Sequence, residues 1–193
     1  METLKRLINA EGEYRMRDQT VERFIGLMEE VKLKRNQVLV PYNTVDDNVY
    51  MIKKGIIRTV YFDGFKEVTF AFALPGTIKI SWYSYYKKLP SFNKYVACCD
   101  SVVMKITKAQ FTDLVKESHD FAQWVAAVFT DQFFNYEKKR DVMNGDARER
   151  FEALIANRPE IMENLSDRII ASYIGVSPQY LCKLKKEFSH RLK

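Results

Sequence analysis

The spacing of apolar residues divides the chain into a β-rich middle and two helical ends. Near the start, two apolar stripes recur at helical spacing: Leu4, Leu7 and Ile8, then Val21, Phe24, Ile25 and Met28. We therefore expect residues 1 to about 33 to be helical, with Asp18 as the cap of the second stripe.

Between Gln37 and Ile106 the pattern changes to short apolar runs that stop at turn residues. The runs are 38–40, 49–52, 56–62, 68–74, 95–99 and 101–106. Asp63-Gly64 between two of them is a strong hairpin signal, and Pro75-Gly76 ends another. Many short strands with frequent turns predict a β-sandwich or barrel.

Helical spacing returns after this region. Thr107 to Gln110 forms a capping-box pattern, as does Asp146 to Glu149. Between them we expect one long helix from about Ser118 to Asn144, with an apolar face made of Phe121, Trp124, Val125, Val128, Phe129, Phe133 and Tyr136. Such a helix favours a seam between two copies of the chain. Packing within a single chain is the alternative.

Residues 167–188 have the pattern of a helix-turn-helix. Ile170, Ala171 and Ile174 form an apolar stripe, and Gly175 suits a sharp turn. Ser177-Pro178 then supplies a cap and a first helical residue. In the second helix Leu181, Leu184 and Phe188 share one face. A surface hairpin with a solvated basic face is the alternative, but the combination of features favours DNA binding.

The opposite face of the second helix carries residues that suit base and phosphate contacts. Gln pairs with adenine, and Lys reaches guanine or phosphate. We predict that Gln179, Tyr180 and Lys183 face base edges, and that Ser177, Lys185, Lys186 and Arg168 approach phosphates. Residues 168–193 contain six Lys or Arg and one Glu, so most of the net charge of +6 lies there.

Other function classes find little support in the composition. Gln37 to Ile106 contains no His, which argues against a metal enzyme on a cupin-type barrel. Cys98, Cys99 and Cys182 lack the spacing of a zinc or iron–sulfur site and are best interpreted as buried free thiols. No apolar run has the length of a membrane span, and no secretory signal pattern opens the chain. We expect a cytoplasmic protein that is not an enzyme and needs no cofactor.

Several motifs resemble those of the cyclic-AMP receptor protein/Fnr family of bacterial transcription regulators. Residues 49–56 are similar to its Y-x-I-x-x-G turn, 64–68 to its G-K-E hairpin and 72–76 to its strand before x-x-G-D. Residues 106–111 are similar to its first helix after the barrel. The resemblance implies an α+β chain: an N-terminal β-barrel or jelly roll of the cyclic-nucleotide-binding type (1–117), a dimerisation helix (118–145) and a helix-turn-helix (146–193).

The departures from the family change the expected ligand. Where members that bind cyclic nucleotides carry a Gly-Glu pair, this chain has Ile80 and Ser81, and Ser91-Phe92 replaces their Arg-Ser pair. A buried phosphate needs a paired cation, so we expect no cyclic nucleotide held in that way. Aromatic residues crowd the same segment instead. They form either a candidate pocket for an unknown small-molecule effector or a filled core: Trp82, Tyr83, Tyr85, Phe92 and Tyr95.

The family usually adds a β-hairpin wing after the recognition helix. Here Lys193 follows Phe188 by five residues, so we expect this wing to be missing or rudimentary. We therefore predict a homodimeric, sequence-specific DNA-binding regulator without membrane partners. A ligand-sensing or protein-interaction module that does not bind DNA is the alternative.

Overall fold

The computed structural model describes residues 1–191 of the chain. Its helices and strands follow in chain order: α1 Glu2–Ala10, α2 Asp18–Gly26, β1 Glu29–Leu33, β2 Val38–Val40, β3 Val49–Lys54, β4 Ile57–Phe62, β5 Glu67–Ala73, β6 Ile78–Ile80, α3 Trp82–Lys87, β7 Lys94–Ala97, β8 Ser101–Ile106, α4 Lys108–Glu117, α5 His119–Asn144, α6 Ala147–Asn157, α7 Pro159–Asn164, α8 Asp167–Ile174 and α9 Pro178–Arg191. The α+β class predicted from the sequence is confirmed.

The eight strands form two antiparallel four-stranded sheets that face each other as a jelly roll. The first sheet has the order β1-β8-β3-β6 and the second the order β2-β7-β4-β5. Non-sequential neighbours in both sheets are typical of this double-Greek-key arrangement. The hairpin at Asp63-Gly64 joins β4 to β5 as predicted, with Gly64 at φ +97°.

Alternation along the strands sends one set of side chains inward and the other outward. The jelly-roll interior holds Leu33, Val40, Tyr50, Ile52, Ile57, Ala73, Tyr95, Ala97 and Val103. The outer face of the first sheet, including Met51 and Ile78, packs under α1, α2, α4 and the first half of α5. There Phe24 lies against Phe121 at 4.8 Å and Trp124 at 5.4 Å between ring centroids. Full burial of each such ring contributes roughly 1.5–3 kcal/mol.

The capping boxes define the helices after the jelly roll. Thr107 and Gln110 cap α4 reciprocally, and Asp146 and Glu149 do the same for α6. Ser118 accepts a hydrogen bond from the N–H of Phe121 and so caps the start of α5, which ends at Asn144 as the sequence predicted. The two halves of α5 differ: Phe121, Trp124 and Val128 are buried, whereas the aromatic residues beyond residue 132 are exposed.

Several predicted boundaries were wrong. Residues 29–33 form strand β1, not helix, because they pair with β8 and complete the first sheet. Asp18 is the first residue of α2 and not its cap, since Arg17 occupies the capping position without a side-chain hydrogen bond. The short elements β6, α3 and α7 were not predicted. Each spans six residues or fewer, too few for a clear period.

The remaining composition-based predictions concern metals, thiols and membranes. Within residues 1–191, no group of three or more His, Cys, Asp or Glu is placed to hold a metal ion. Cys98, Cys99 and Cys182 are free thiols, and Cys98 is buried as expected, which raises its pKa to about 12. The expected burial was wrong for the other two: Cys99 is half-buried, and Cys182 is exposed because it lies off the buried face of α9. No helix in the described part of the chain is long and apolar enough to span a membrane.

Candidate nucleic-acid interface

The turn between α8 and α9 has the local structure that its sequence predicted. Gly175 follows α8 at φ +72°, a conformation that glycine adopts at little cost, and Val176 donates its N–H to the carbonyl of Ala171 at 3.0 Å. The Ser177 hydroxyl then accepts from the N–H of Tyr180 at 3.1 Å, which caps α9. Two short helices are thus joined by a tight turn, the geometry of a helix-turn-helix.

The two helices are held by an apolar seam. Ala171, Ile174, Leu181 and Leu184 are all buried and belong to one apolar cluster. Phe188 continues the seam and meets Phe151 of α6 edge-on at 5.9 Å between ring centroids. The predicted apolar face of α9 is therefore the one that packs inward.

Arg150 is a contributor that the sequence reasoning missed. Its Nε donates to the carbonyl of Ile174 at 2.8 Å, and its Nη1 donates to the carbonyl of Gly145 at 2.6 Å. One guanidinium thus satisfies carbonyls at the ends of two helices and ties the turn to the start of α6. Arg150 lies in a charged stretch (Arg148-Glu149-Arg150), and nothing in that stretch indicates such a role.

The opposite face of α9 is exposed and carries most of the predicted DNA-contacting residues. The exposed members are Ser177, Gln179, Tyr180, Lys183 and Lys186, and Arg168 is exposed on α8. Lys183 forms an ion pair with Glu187, 3.9 Å away and one turn further along the helix. Such an exposed pair is weak and leaves the ammonium free to exchange partners.

Lys185 differs from the other basic residues of α9. It forms an ion pair with Asp167 at the start of α8, and its side chain is two-thirds buried. Because Asp167 already neutralises this ammonium, Lys185 joins the two helices to each other. Its placement agrees better with a structural contact than with the phosphate contact predicted from the sequence.

The aromatic residues predicted to line a ligand pocket lie in three different surroundings. Trp82, Tyr83 and Phe92 are exposed, with Trp82 resting edge-on against Phe129 of α5. Tyr85 is buried in the cluster formed with the outer helices. Tyr95 lies inside the jelly roll and donates its hydroxyl to the carbonyl of Ile80 at 3.0 Å. Four of the five rings form two contacting pairs, Trp82 with Tyr85 at 6.2 Å and Tyr83 with Phe92 at 4.7 Å between ring centroids. Tyr95 belongs to the separate cluster inside the jelly roll.

The serines that the family resemblance places nearest to the nucleotide-binding pairs form hydrogen bonds within the chain. Ser81 is buried and donates to the Ser84 hydroxyl at 3.2 Å, while Ser91 donates to the carbonyl of Asn93 at 2.9 Å. Lys79 lies in register with Tyr50, and its Nζ is 5.0 Å from the Tyr95 ring centroid. Burial lowers the pKa of Lys79 to about 8. Within residues 1–191 no carboxylate forms an ion pair with it.

Comparison with solved structures identifies the architecture. The c-di-GMP responsive global regulator CLP of Xanthomonas campestris matches with a TM-score of 0.72 and 13% identity over 91% of this chain and 93% of CLP. FixK2 from Bradyrhizobium japonicum matches with 0.71 and 15% over 85% of each chain. The chain has the Crp/Fnr fold.

A further solved structure shares this fold, whereas comparisons of the sequence alone find no match. A CooA mutant from Carboxydothermus hydrogenoformans shares the Crp/Fnr fold with a TM-score of 0.67 and 20% identity, over 87% of this chain and 79% of CooA. No protein-family model matches the sequence, and no curated protein matches it either. The likeness therefore lies in the three-dimensional arrangement, which confirms the fold that the sequence motifs implied.

Proposed function

We propose that this protein is a homodimeric, sequence-specific DNA-binding transcription regulator. The observation that carries the proposal is the division of α9 into two faces. Leu181 and Leu184 are buried against α8, while Gln179, Tyr180 and Lys183 project outward from the N-terminal half of the helix. A helix presented in this way enters the major groove, where its N-terminal residues reach base edges. The Crp/Fnr fold of the whole chain supports the same conclusion.

The exposed second half of α5 supports a homodimer. Phe133, Phe134 and Tyr136 are 58%, 52% and 53% exposed, although the first half of the same helix is built into the core. Contiguous large apolar side chains on a soluble surface commonly mark an interface. Pairing of α5 with its copy covers these rings and sets two reading helices beside each other for a two-fold symmetric site.

The effector, where one exists, is not a cyclic nucleotide held by the family's Gly-Glu and Arg-Ser pairs. Residues 68–99 contain no Arg, Asp or Glu, so neither the bidentate phosphate partner nor the ribose acceptor is available there. Ser91, which the resemblance places nearest to the family's Arg-Ser pair, donates its hydroxyl to the carbonyl of Asn93. The chemical class of any effector therefore differs from that of a cyclic nucleotide bound in the family's usual way.

Salt-dependent binding to duplex DNA tests the proposal. Fluorescence anisotropy with labelled genomic fragments, repeated across a salt series, gives the slope of log affinity against log salt. Each phosphate contact contributes roughly −0.9 to that slope. Replacing Lys186 or Arg168 by Ala should make the slope shallower by about 1 each. Lys87→Ala on the exposed surface of α3 is the matched control and should leave the slope unchanged.

The alternative is a ligand-sensing or protein-interaction module with the same fold. Such a module shows no duplex binding at low salt, or binding whose slope is the same for wild type and the Lys186 and Arg168 variants. Either result excludes α9 as the DNA-contacting helix.

A further inference from the structure

Strand β5 has an unpaired edge that lies beside the helix-turn-helix. It is the last strand of the second sheet, so its outer backbone groups have no strand partner in the described part of the chain. Thr59 pairs with Ala71 and Val60 with Thr69, which leaves Phe70 without a register partner in a β-bulge. The bulge turns backbone groups of residues 69 and 70 toward neighbouring elements.

Helix α8 satisfies one of these edge groups. The backbone N–H of Thr69 donates to the Ser172 hydroxyl at 2.9 Å, a contact between residues 103 positions apart in the chain. The next residue of α8, Tyr173, lies against Phe72 with 4.9 Å between ring centroids. The first helix of the helix-turn-helix is therefore fixed to β5 by a hydrogen bond and a ring contact.

Lys139 of α5 also contacts this junction between β5 and α8. Its ammonium donates to the carbonyl of Phe70, lies 4.0 Å from the Phe70 ring centroid and lies 5.0 Å from the Tyr173 ring centroid. The long helix, the bulged strand and α8 thus meet at one lysine. Cation–π contacts of this kind are strongest where water is excluded.

The apolar packing shows that this is a continuous interface. Residues of the jelly roll and of the helix-turn-helix belong to a single buried cluster: Ile56, Leu74 and Cys98 on one side, with Ile170, Ala171 and Ile174 among those on the other. An apolar cluster shared by two units restricts their relative motion more than a flexible connection does.

We propose that Ser172, Phe72 and Lys139 are positioning residues that set the orientation of α9 relative to α5. This inference rests on the proposed function and deepens it by naming what fixes the reading helices. Because α5 carries the dimer axis, a fixed angle between α5 and α9 fixes the distance between the two reading helices of a dimer. The arrangement is held by the chain's own side chains, so spacing selectivity does not require a bound effector.

Half-site spacing is the property that a positioning role controls. The full-length protein is tested on the symmetric site recovered by selection from random duplexes, on sites with the half-sites moved apart by a quarter turn, and on a single half-site. Wild type should prefer the native spacing by about tenfold or more, since two linked contacts act together only when the geometry allows it. Phe72→Ala and Ser172→Ala should lose most of this preference and keep their affinity for the single half-site.

Phe65→Ala is the matched control because Phe65 lies at the tip of the same β4–β5 hairpin and is 93% exposed. It should keep the wild-type spacing preference. Unchanged spacing preference in both Phe72→Ala and Ser172→Ala overturns the inference. An equal loss of affinity for all three DNA molecules also overturns it, because that result indicates damage to α9 itself.

A measurement without DNA separates this inference from the proposed function. Amide hydrogen exchange of Thr69, followed by NMR, should be slow in wild type and in Phe65→Ala and faster in Ser172→Ala, since Ser172 accepts that N–H. Fast exchange of Thr69 in wild type overturns the docking. Slow exchange in a protein that binds no duplex overturns the proposed function and the positioning role together, while leaving the docked arrangement in place.

Discussion

The ammonium of Lys185 forms an ion pair with the carboxylate of Asp167, joining the two helices of the helix-turn-helix. This ion pair distinguishes Lys185 from Lys183, although the sequence predicted DNA contacts for both. Lys183 projects from the exposed face of α9, whereas Lys185 is directed back toward α8. Lysine position on the helix, and not lysine count, therefore decides which side chains are available to DNA.

The first prediction contrasts these two lysines. Lys183→Ala should weaken binding to the selected site by about 1–3 kcal/mol and relax one base preference. Lys185→Ala should change affinity little and lower the free energy of unfolding by up to about 1 kcal/mol, because it breaks a partly exposed ion pair. Anisotropy titrations and chemical denaturation measure the two effects. The reverse pattern, with Lys185→Ala the weaker binder, contradicts the assignment.

A second prediction concerns the turn. Gly175→Ala should lower the free energy of unfolding by roughly 1–2 kcal/mol, because φ at this position is +72° and a Cβ disfavours that conformation. Gly26 has no positive φ, and an added methyl group would meet open space there, so Gly26→Ala is the matched control. It should be neutral or stabilising by up to about 1 kcal/mol. Equal effects of the two substitutions in thermal unfolding argue against the left-handed turn.

The dimer gives a third prediction. Phe133→Glu places a charge in the exposed aromatic surface of α5 and should shift the protein toward monomer at micromolar concentration. Analytical ultracentrifugation measures the change, and Phe65→Glu on the hairpin tip is the control that should leave the assembly intact. A wild-type protein that sediments as a monomer contradicts the dimer outright.

Two desolvated lysines make stability depend on alkaline pH. Burial lowers the pKa of Lys79 and of Lys139 from 10.5 to about 8, with Lys79 adding to the effect on Lys139. Between about pH 8 and 10.5 these two lysines bind more protons in the unfolded chain than in the folded one, so their contribution to stability should rise with pH across that window. Above about pH 9 the buried Cys98 thiol, whose pKa is raised to about 12, opposes this rise. Each lysine contributes roughly 1 to 3 kcal/mol to the rise.

Substitution separates this effect from general alkaline behaviour. Lys79→Met should flatten part of the rise when urea unfolding is followed from neutral pH through the alkaline window. Lys87→Met, an exposed lysine on α3, should reproduce the wild-type curve. A Lys79→Met curve with the same pH dependence as the wild-type curve across the window shows that Lys79 is not desolvated in the folded state.

Elements that are determined by neighbouring residues were the ones that could be predicted from the sequence. Caps carry their own chemistry, so Thr107, Asp146 and Ser177 marked three helix starts correctly. The hairpin at Asp63-Gly64 and the turn at Gly175 were equally clear, because positive φ needs a specific residue type. These features depend on neighbours within four residues, which a sequence displays directly.

Features that depend on distant partners were not accessible in this way. Glu29–Leu33 is a strand because β8 lies beside it, and its own residues do not favour a strand strongly. Arg150 and Lys139 act through carbonyls brought near them by folding. The exposed face of α9 was predictable from the helical period, whereas the contact of Lys185 with Asp167 was not, because it depends on where α8 lies.

Selection of bound fragments from genomic DNA by the purified protein, at moderate salt and without added ligand, tests the proposed function most directly. We predict a two-fold symmetric motif with half-sites about one helical turn apart, because two α9 helices are held on one dimer. Recovery of fragments with no common motif, under conditions where the protein is folded and dimeric, contradicts it.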